Sequence, residues 1–243
     1  MTRRFSLVLP CYNEAPSLPM LVSRAVACAR RRGLSPDEFR LVLVENGSSD
    51  GSLDVMKALA AGADGEFLQV VPVSPNRGYG AGLKAGLGAC LPGIVAWTHA
   101  DEQCDPEDAF LGWEIVAGSS SPTLVKGRRH GRAAAERIVS LGFETLASAI
   151  FMRRLREINA QPKVFPSGLL DRLESAPDDF AFDLFMLLEA ARADYRIREI
   201  DVRFPPRRHG ESRWAATMRS RFRTMAGLVR YMIRLRLSGG SGQ

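Results

Sequence analysis

The chain has 243 residues, 46% hydrophobic and 25% charged, with a net charge of +6 at neutral pH; this suffices for one sizeable core, and no run approaches the ~18 apolar residues of a membrane-spanning helix. Four cysteines without CxxC spacing exclude a disulfide framework and a cysteine-ligated zinc site. The first apolar stretch is too short and too soon interrupted for a signal peptide, so a reduced protein is expected, beginning at Met1 in the cytoplasm and reaching at most the inner membrane surface.

Residues 5–10 (FSLVLP) form an apolar run of strand length, and Leu18, Leu21, Val22, Ala25, Val26 and Ala29 follow at helical spacing until Gly33. Residues 39–44 (FRLVLV) repeat the strand, and ENGSSDGS then turns the chain into a helix with Leu53, Met56, Leu59 and Ala60 on one face. Residues 67–73 read as a third strand, 79–89 as a helix of small residues and 94–97 as a fourth strand. Strands alternating with helices at this spacing predict an α/β fold, a mostly parallel Rossmann-like sheet flanked on both faces by helices.

Beyond Asp105 the pattern loosens into a helix over 107–116, a short strand over 123–125, a long helix over 133–154 and a loop over 158–165. A helix over 179–192, a strand over 197–204, a basic segment PPRRHGESRW and a last helix over 215–237 complete the chain. The expected division is a domain over 1–212, a basic amphipathic helical segment over 213–237 and a disordered tail over 238–243.

The fourth strand runs directly into His99, Asp101, Gln103 and Asp105. Alternate residues of an extended segment point the same way, so His99, Asp101 and Gln103 can offer one nitrogen and two oxygen ligands to a metal beyond the strand end. Asp105, followed by Pro106, reads as a helix cap. Ligands in open α/β sheets bind outside the carboxyl ends of the strands, and polar clusters fall there at 12–14, 45–50, 76–82 and 99–103.

The ordered series of motifs resembles the family 2 glycosyltransferases of the GT-A fold, and within them the polyprenyl-phosphate (dolichyl-phosphate) mannose or glucose synthase branch. LVLPCYNE is similar to that family's opening P-x-Y-N-E, LVENGSSDGS to its V-D-D-G-S-x-D-G-T, NRGYGAGLKAG to its N-x-G-x-x-x-A-x-x-x-G, and HADEQCDP to its D-A-D-x-Q-x-x-P. KGRR stands where the family has G-S-R, and REIDVRFPPRRHGESR where it has E-V-P-I-x-F-x-x-R-x-x-G-x-S-K.

The resemblance implies inverting transfer of a sugar from a UDP-, GDP- or dTDP-linked donor, with Mn2+ or Mg2+ as cofactor and a polyprenyl phosphate as acceptor. Pro10, Tyr12 and Glu14 would line the nucleoside pocket, with Glu45 and Asn46 in the base-reading region and Asn76 and Lys84 in the third motif. Asp50 reads as the cap of the next helix. Ala100, Asp101 and Gln103 match the diphosphate-metal motif; His99 replaces its first aspartate, which shifts preference towards Mn2+ or leaves His99 to the ribose. Arg128 and Arg207 match phosphate-contacting positions, with Arg208 and Arg213 nearby, Ser212 belongs to the last motif, and Arg129 and Arg132 read as solvated.

On the acceptor side, EINAQPKVF stands where the branch has D-x-x-S-G-F-R-x-F, keeping Glu157 and Lys163 but losing Ser-Gly-Phe. Asp183 is a candidate base should the acceptor be a hydroxyl, which an anionic phosphate would not require. The last helix, basic and amphipathic, either covers the core or makes a peripheral contact with anionic membrane. Two alternatives stand beside the leading reading: a same-fold transferase to a hydroxyl acceptor, and a non-catalytic nucleotide-sugar or nucleic-acid binding module. No aromatic-basic RNA motif or DNA-reading element is present, so nucleic acid is not an expected partner.

Overall fold

The computed structural model describes residues 4–132, 134–205 and 218–238, without the side chains of 134–136, 218–225 and 238. Its elements are β1 (Phe5–Cys11), α1 (Leu18–Arg31), β2 (Phe39–Glu45), α2 (Ser52–Ala60), β3 (Leu68–Pro72), α3 (Tyr79–Gly88), β4 (Ile94–Trp97) and α4 (Pro106–Ala117). There follow β5 (Thr123–His130), α5 (Ala134–Phe151), β6 (Lys163–Pro166), α6 (Phe182–Arg192), β7 (Arg196–Arg203) and α7 (Met218–Ser238). The sheet order is β3-β2-β1-β4-β6-β5-β7. β6 runs antiparallel to β4 and β5, and every other pair is parallel.

Alternation along the central strands builds a core on each face. Leu7 and Leu9 of β1, Leu41 and Leu43 of β2, and Ile94 and Ala96 of β4 pack with α1, α2 and α4. The intervening Val8, Val42, Val44, Val95 and Trp97 pack with α3, α5, α6 and α7. Near-continuous apolar strands are therefore what a sheet covered on both sides requires. The small residues of α3 let it lie close: a Cβ on Gly86 would sit 2.5 Å from side-chain atoms of both Val8 and Val44.

The main departures from expectation lie in the second half. β6 falls inside the segment read as a loop, because only four residues form it and Lys163 opens it. β5 extends to His130, since pairing with β7 carries it through the polar Arg128 and Arg129. α5 stops at Phe151: Met152 takes a left-handed φ of 52°, Arg153 N–H donates to Ser148 O, and the Ser148 hydroxyl accepts from Leu155 N–H. Leu228 and Met232 of α7 are buried in the core shared with α3, α5 and α6. Among the described residues no helix is long and apolar enough to cross a membrane.

Candidate active site

Because β1 to β5 and β7 are mutually parallel, their carboxyl ends share one edge. The chain steps outward from β1 to β3 and then crosses to β4, so the strand order reverses between β1 and β4, the position at which open α/β sheets take their ligands. The loops after β1 and β2 form one wall, stitched together by side chains. Asn13 N–H donates to Ser48 Oγ (3.1 Å) and Asn13 Oδ1 accepts from Ser49 N–H (2.8 Å). Asp50 accepts from Ala15 N–H (3.0 Å), Ser52 N–H (3.0 Å) and the Ser52 hydroxyl (2.6 Å). Burial works to raise the Asp50 pKa, but these donors outweigh it and hold the carboxyl below its ordinary value. The expected helix cap at Asp50 is thus corrected: Gly51 occupies the cap position, with a φ of 85°, and Asp50 one residue earlier joins two loops.

Pro10 and Tyr12 stand partly buried at the end of β1, and Glu14 N–H donates to Ser52 Oγ (3.1 Å). Glu45, 5% exposed, accepts from Ser48 N–H. Asn46, also 5% exposed, turns inward and donates from Nδ2 to Gly78 O (3.0 Å), fastening the second loop to the third. Asn76 Oδ1 accepts from Gly78 N–H (2.9 Å) at the start of α3. Lys84 lies to the side, its ammonium on Ala176 O (2.9 Å) and Asp178 Oδ1 (2.7 Å). Segment 176–181 closes over the first turn of α3, where Ala81 N–H donates to Asp178 O.

Beyond β4, Ala100 and Asp101 are each 3% exposed and His99 is partly exposed. Asp101 Oδ1 accepts from Gln103 N–H (3.1 Å), and Oδ2 lies 3.8 Å from His99 Nδ1. Gln103 Nε2 donates to Pro205 O (2.9 Å), which brings the start of the basic segment to the metal motif. Asp105 caps α4 as expected, accepting from Glu107 N–H (3.0 Å). Among the described residues no three of His, Cys, Asp and Glu converge. The donor set is accordingly one buried carboxylate with an adjacent imidazole. That fits Mg2+ or Mn2+, which take one or two protein carboxylates and fill their remaining positions with water and substrate phosphate.

The other side of the edge is cationic. Arg128 at the end of β5 meets Asp201 of β7 in two bonds, Nε to Oδ1 at 2.6 Å and a terminal nitrogen to Oδ2 at 2.9 Å, and His130 Nε2 lies 2.7 Å from the same carboxylate. The hydrogen bonds from Arg128, then from His130, hold the Asp201 carboxyl well below the usual carboxylate range. Arg129 and Arg132 correct the expectation of solvated side chains, for they clamp Glu157 at 2.7 and 2.8 Å and are 11% and 7% exposed. Arg207, Arg208, Ser212 and Arg213 lie outside the described residues.

Lys163 and Asp183 do meet, but in the interior. Lys163 is fully buried, and its ammonium donates to Ile158 O, Ala160 O and Asp183 Oδ1, each at 2.8 Å. A lysine has three donors, so none is left for an acceptor phosphate, which corrects the expected role of Lys163. Asp183, 3% exposed, also accepts from Gln161 Nε2 (3.0 Å) and is held in an ion pair rather than poised as a base. Burial lowers the Lys163 pKa, against the opposing pull of Asp183. Tyr79, whose hydroxyl accepts from Trp97 Nε1 (3.2 Å) and Gln161 Nε2 (3.3 Å), belongs to the same network. Burial, with Asp183 nearby, raises its pKa well above the ordinary phenol value. Sequence reading missed Tyr79 and Gln161; the signal available was a lysine within the apolar run KVF, which demands buried partners.

A family model described as Glycosyl transferase family 2 matches residues 6–111. An undecaprenyl-phosphate 4-deoxy-4-formamido-L-arabinose transferase of Pseudomonas fluorescens is 28% identical over 220 residues, covering 87% of this chain and 60% of that protein, so the chain spans less than two thirds of this relative's length. An uncharacterized glycosyltransferase of Mycobacterium tuberculosis is 30% identical over 231 residues, covering 88% of this chain and 91% of its own. In fold, the chain matches glucosyl-3-phosphoglycerate synthase from Mycobacterium tuberculosis, solved with Mn2+, UDP and glucosyl-3-phosphoglycerate, with a TM-score of 0.73 at 18% identity over 96% of this chain and 80% of that one. It also matches mannosyl-3-phosphoglycerate synthase from Rubrobacter xylanophilus, with a TM-score of 0.74 at 19% identity over 99% and 76%. The motif order, the reversal of strand order between β1 and β4 and the near full-length similarity converge: the chain belongs to glycosyltransferase family 2.

Proposed function

We propose that the chain catalyses inverting transfer of a sugar from a UDP-linked donor to a polyprenyl phosphate. The observation that carries the acceptor class is the state of the acceptor-side carboxylates: Glu157 and Asp183 are both held by cations. A hydroxyl acceptor needs a base, whereas a phosphate oxygen arrives already anionic. The Pseudomonas fluorescens relative carries undecaprenyl phosphate in its name. Structural neighbours were solved with UDP and Mn2+ or Mg2+, and one with Mn2+, UDP-glucose and phosphoglyceric acid, which supports the donor half of the reading.

In this reading the stitched loops after β1 and β2 would hold the nucleoside, and Asp101 with His99 beside it would hold a divalent ion. Such an ion neutralises charge developing on the leaving group. The acceptor oxygen approaches the anomeric carbon from the side opposite the leaving diphosphate, which inverts its configuration.

Transfer of radiolabelled sugar from a UDP-sugar to undecaprenyl phosphate, beside hydroxyl acceptors, tests the acceptor; labelling of the hydroxyl compounds alone would overturn it. UDP should raise the thermal midpoint in Mn2+ or Mg2+ and less so after chelation. Asp101→Asn should lower turnover by about a hundredfold or more and remove the metal dependence of the UDP shift. Full activity in that variant, or no shift with UDP, GDP or dTDP under either metal, would sink the site.

A further inference from the structure

Phe143, Ala147 and Phe151 bury one face of α5 in the core. The opposite face is apolar too: Ile138 is 70% exposed and Leu141 64%, and Met152, just past the helix, is 81% exposed. Helical spacing puts Ile138 and Leu141 on one side with the small Thr145 and Ala149, away from the core stripe. A helix apolar on both faces is ordinarily covered on both, and exposed apolar patches of this kind mark contact surfaces.

The surroundings say what covers it. Arg137, Arg153 and Arg154 are exposed beside these residues. α7, which packs against α5, adds exposed Arg230 and Arg234 with Ile233 and Leu237. Glu144, the one acidic residue of α5 with a described side chain, lies among the buried residues, and α7 contains no acidic residue. A cavity of about 440 Å³, lined in part by Arg154 and Arg156, opens beyond the C-terminal end of α5. A second copy would set arginines against arginines across a twofold axis. A bilayer with anionic headgroups instead takes the apolar side chains into its interface and pairs with the cationic rim.

We propose that the outer face of α5, with the adjoining end of α7, docks onto an anionic lipid bilayer. The inference stands independently of donor and acceptor. α5 leaves directly from the carboxyl end of β5, so its first turn begins beside the active-site edge.

Sedimentation of the full chain with vesicles tests this, comparing phosphatidylcholine alone with phosphatidylcholine mixed with phosphatidylglycerol. The expected result is at least about tenfold tighter binding to the anionic vesicles, weakened by salt. Ile138→Asp with Leu141→Asp should reduce that binding by about tenfold or more, with the thermal midpoint and the UDP-induced shift unchanged. Met152→Asp, outside the helix, serves as an independent variant should the pair not fold. Failure of the parent to prefer anionic vesicles, or equal binding by the variants, would overturn the proposal. So would a parent dimer that the variants turn into monomers without any vesicle binding, which would assign the face to a second copy. A chain that binds vesicles yet transfers no sugar to lipid leaves this surface standing and removes only the acceptor reading.

Discussion

A lysine ammonium has three N–H donors, and at Lys163 all three are met inside the protein, two by carbonyls and one by Asp183. The residue therefore fastens segment 158–160 to α6. Lys163→Met should destabilise the fold by about 3–5 kcal/mol, because Asp183 is left as an uncompensated buried charge. Chemical denaturation reads this directly; a stable Met variant with only a raised acceptor KM would instead return Lys163 to the acceptor site. Asp108 shows the opposite electrostatic case. Burial, then Asp105 and Glu107, push its carboxyl up to about 6. An unfolded aspartate titrates near ~4, so between that value and about 6 the native state holds a proton that the unfolded chain has released. Stability then falls as pH rises through this window. Asp108→Asn should stabilise the protein at pH 7 by about 1–2 kcal/mol, discounted for partial exposure, and have no effect below about pH 4. Thermal unfolding at the two pH values checks the sign. The Lys163 environment is not written locally in the sequence, since Asp183 lies twenty residues away.

Among the elements, α3 was the most legible from its residues and its glycines the most demanding. A Cβ on Gly80 would stand 2.1 Å from Pro177 O, a backbone atom that cannot swing aside, whereas one on Gly88 would meet nothing within 4 Å. Gly80→Ala should cost about 1–3 kcal/mol by displacing segment 176–181. Gly88→Ala should gain about 0.5–1 kcal/mol through helix propensity. Denaturation midpoints of the two variants should move in opposite directions; equal shifts would mean that segment 176–181 does not press on α3. The sequence showed a helix of small residues but not what presses on it. β6 was illegible for a related reason. Four residues give too little periodicity, and the pattern becomes intelligible only once β4 and β5 pair on either side. β5 itself appeared short because Arg128 and Arg129 hide their strand character behind charge.

At the scale of the molecule, the half from β1 to α4 was readable because its physics is repetitive: an apolar strand, a polar turn and a helix, four times over, with a polar cluster at each strand end. The polar edge at the end of β4 followed from that repetition, while the role expected of Asp101 came from the resemblance of HADEQCDP to the family's motif. The acceptor half depends on long-range pairing, in which Arg129 and Arg132 grip Glu157 from 28 and 25 residues away. Spacing along the chain does not reveal such partners, and so the arginines that looked solvated are structural. The loops after β1 and β2 differ from both, being joined by short side chains before any ligand arrives. Asn13, Asp50 and Ser52 hold that wall in shape, so the conformational entropy of forming it is lost at folding rather than at binding. If this wall holds the nucleoside as proposed, recognition there would need no lid, and donor affinity would carry little of the ordering penalty that a floppy loop imposes.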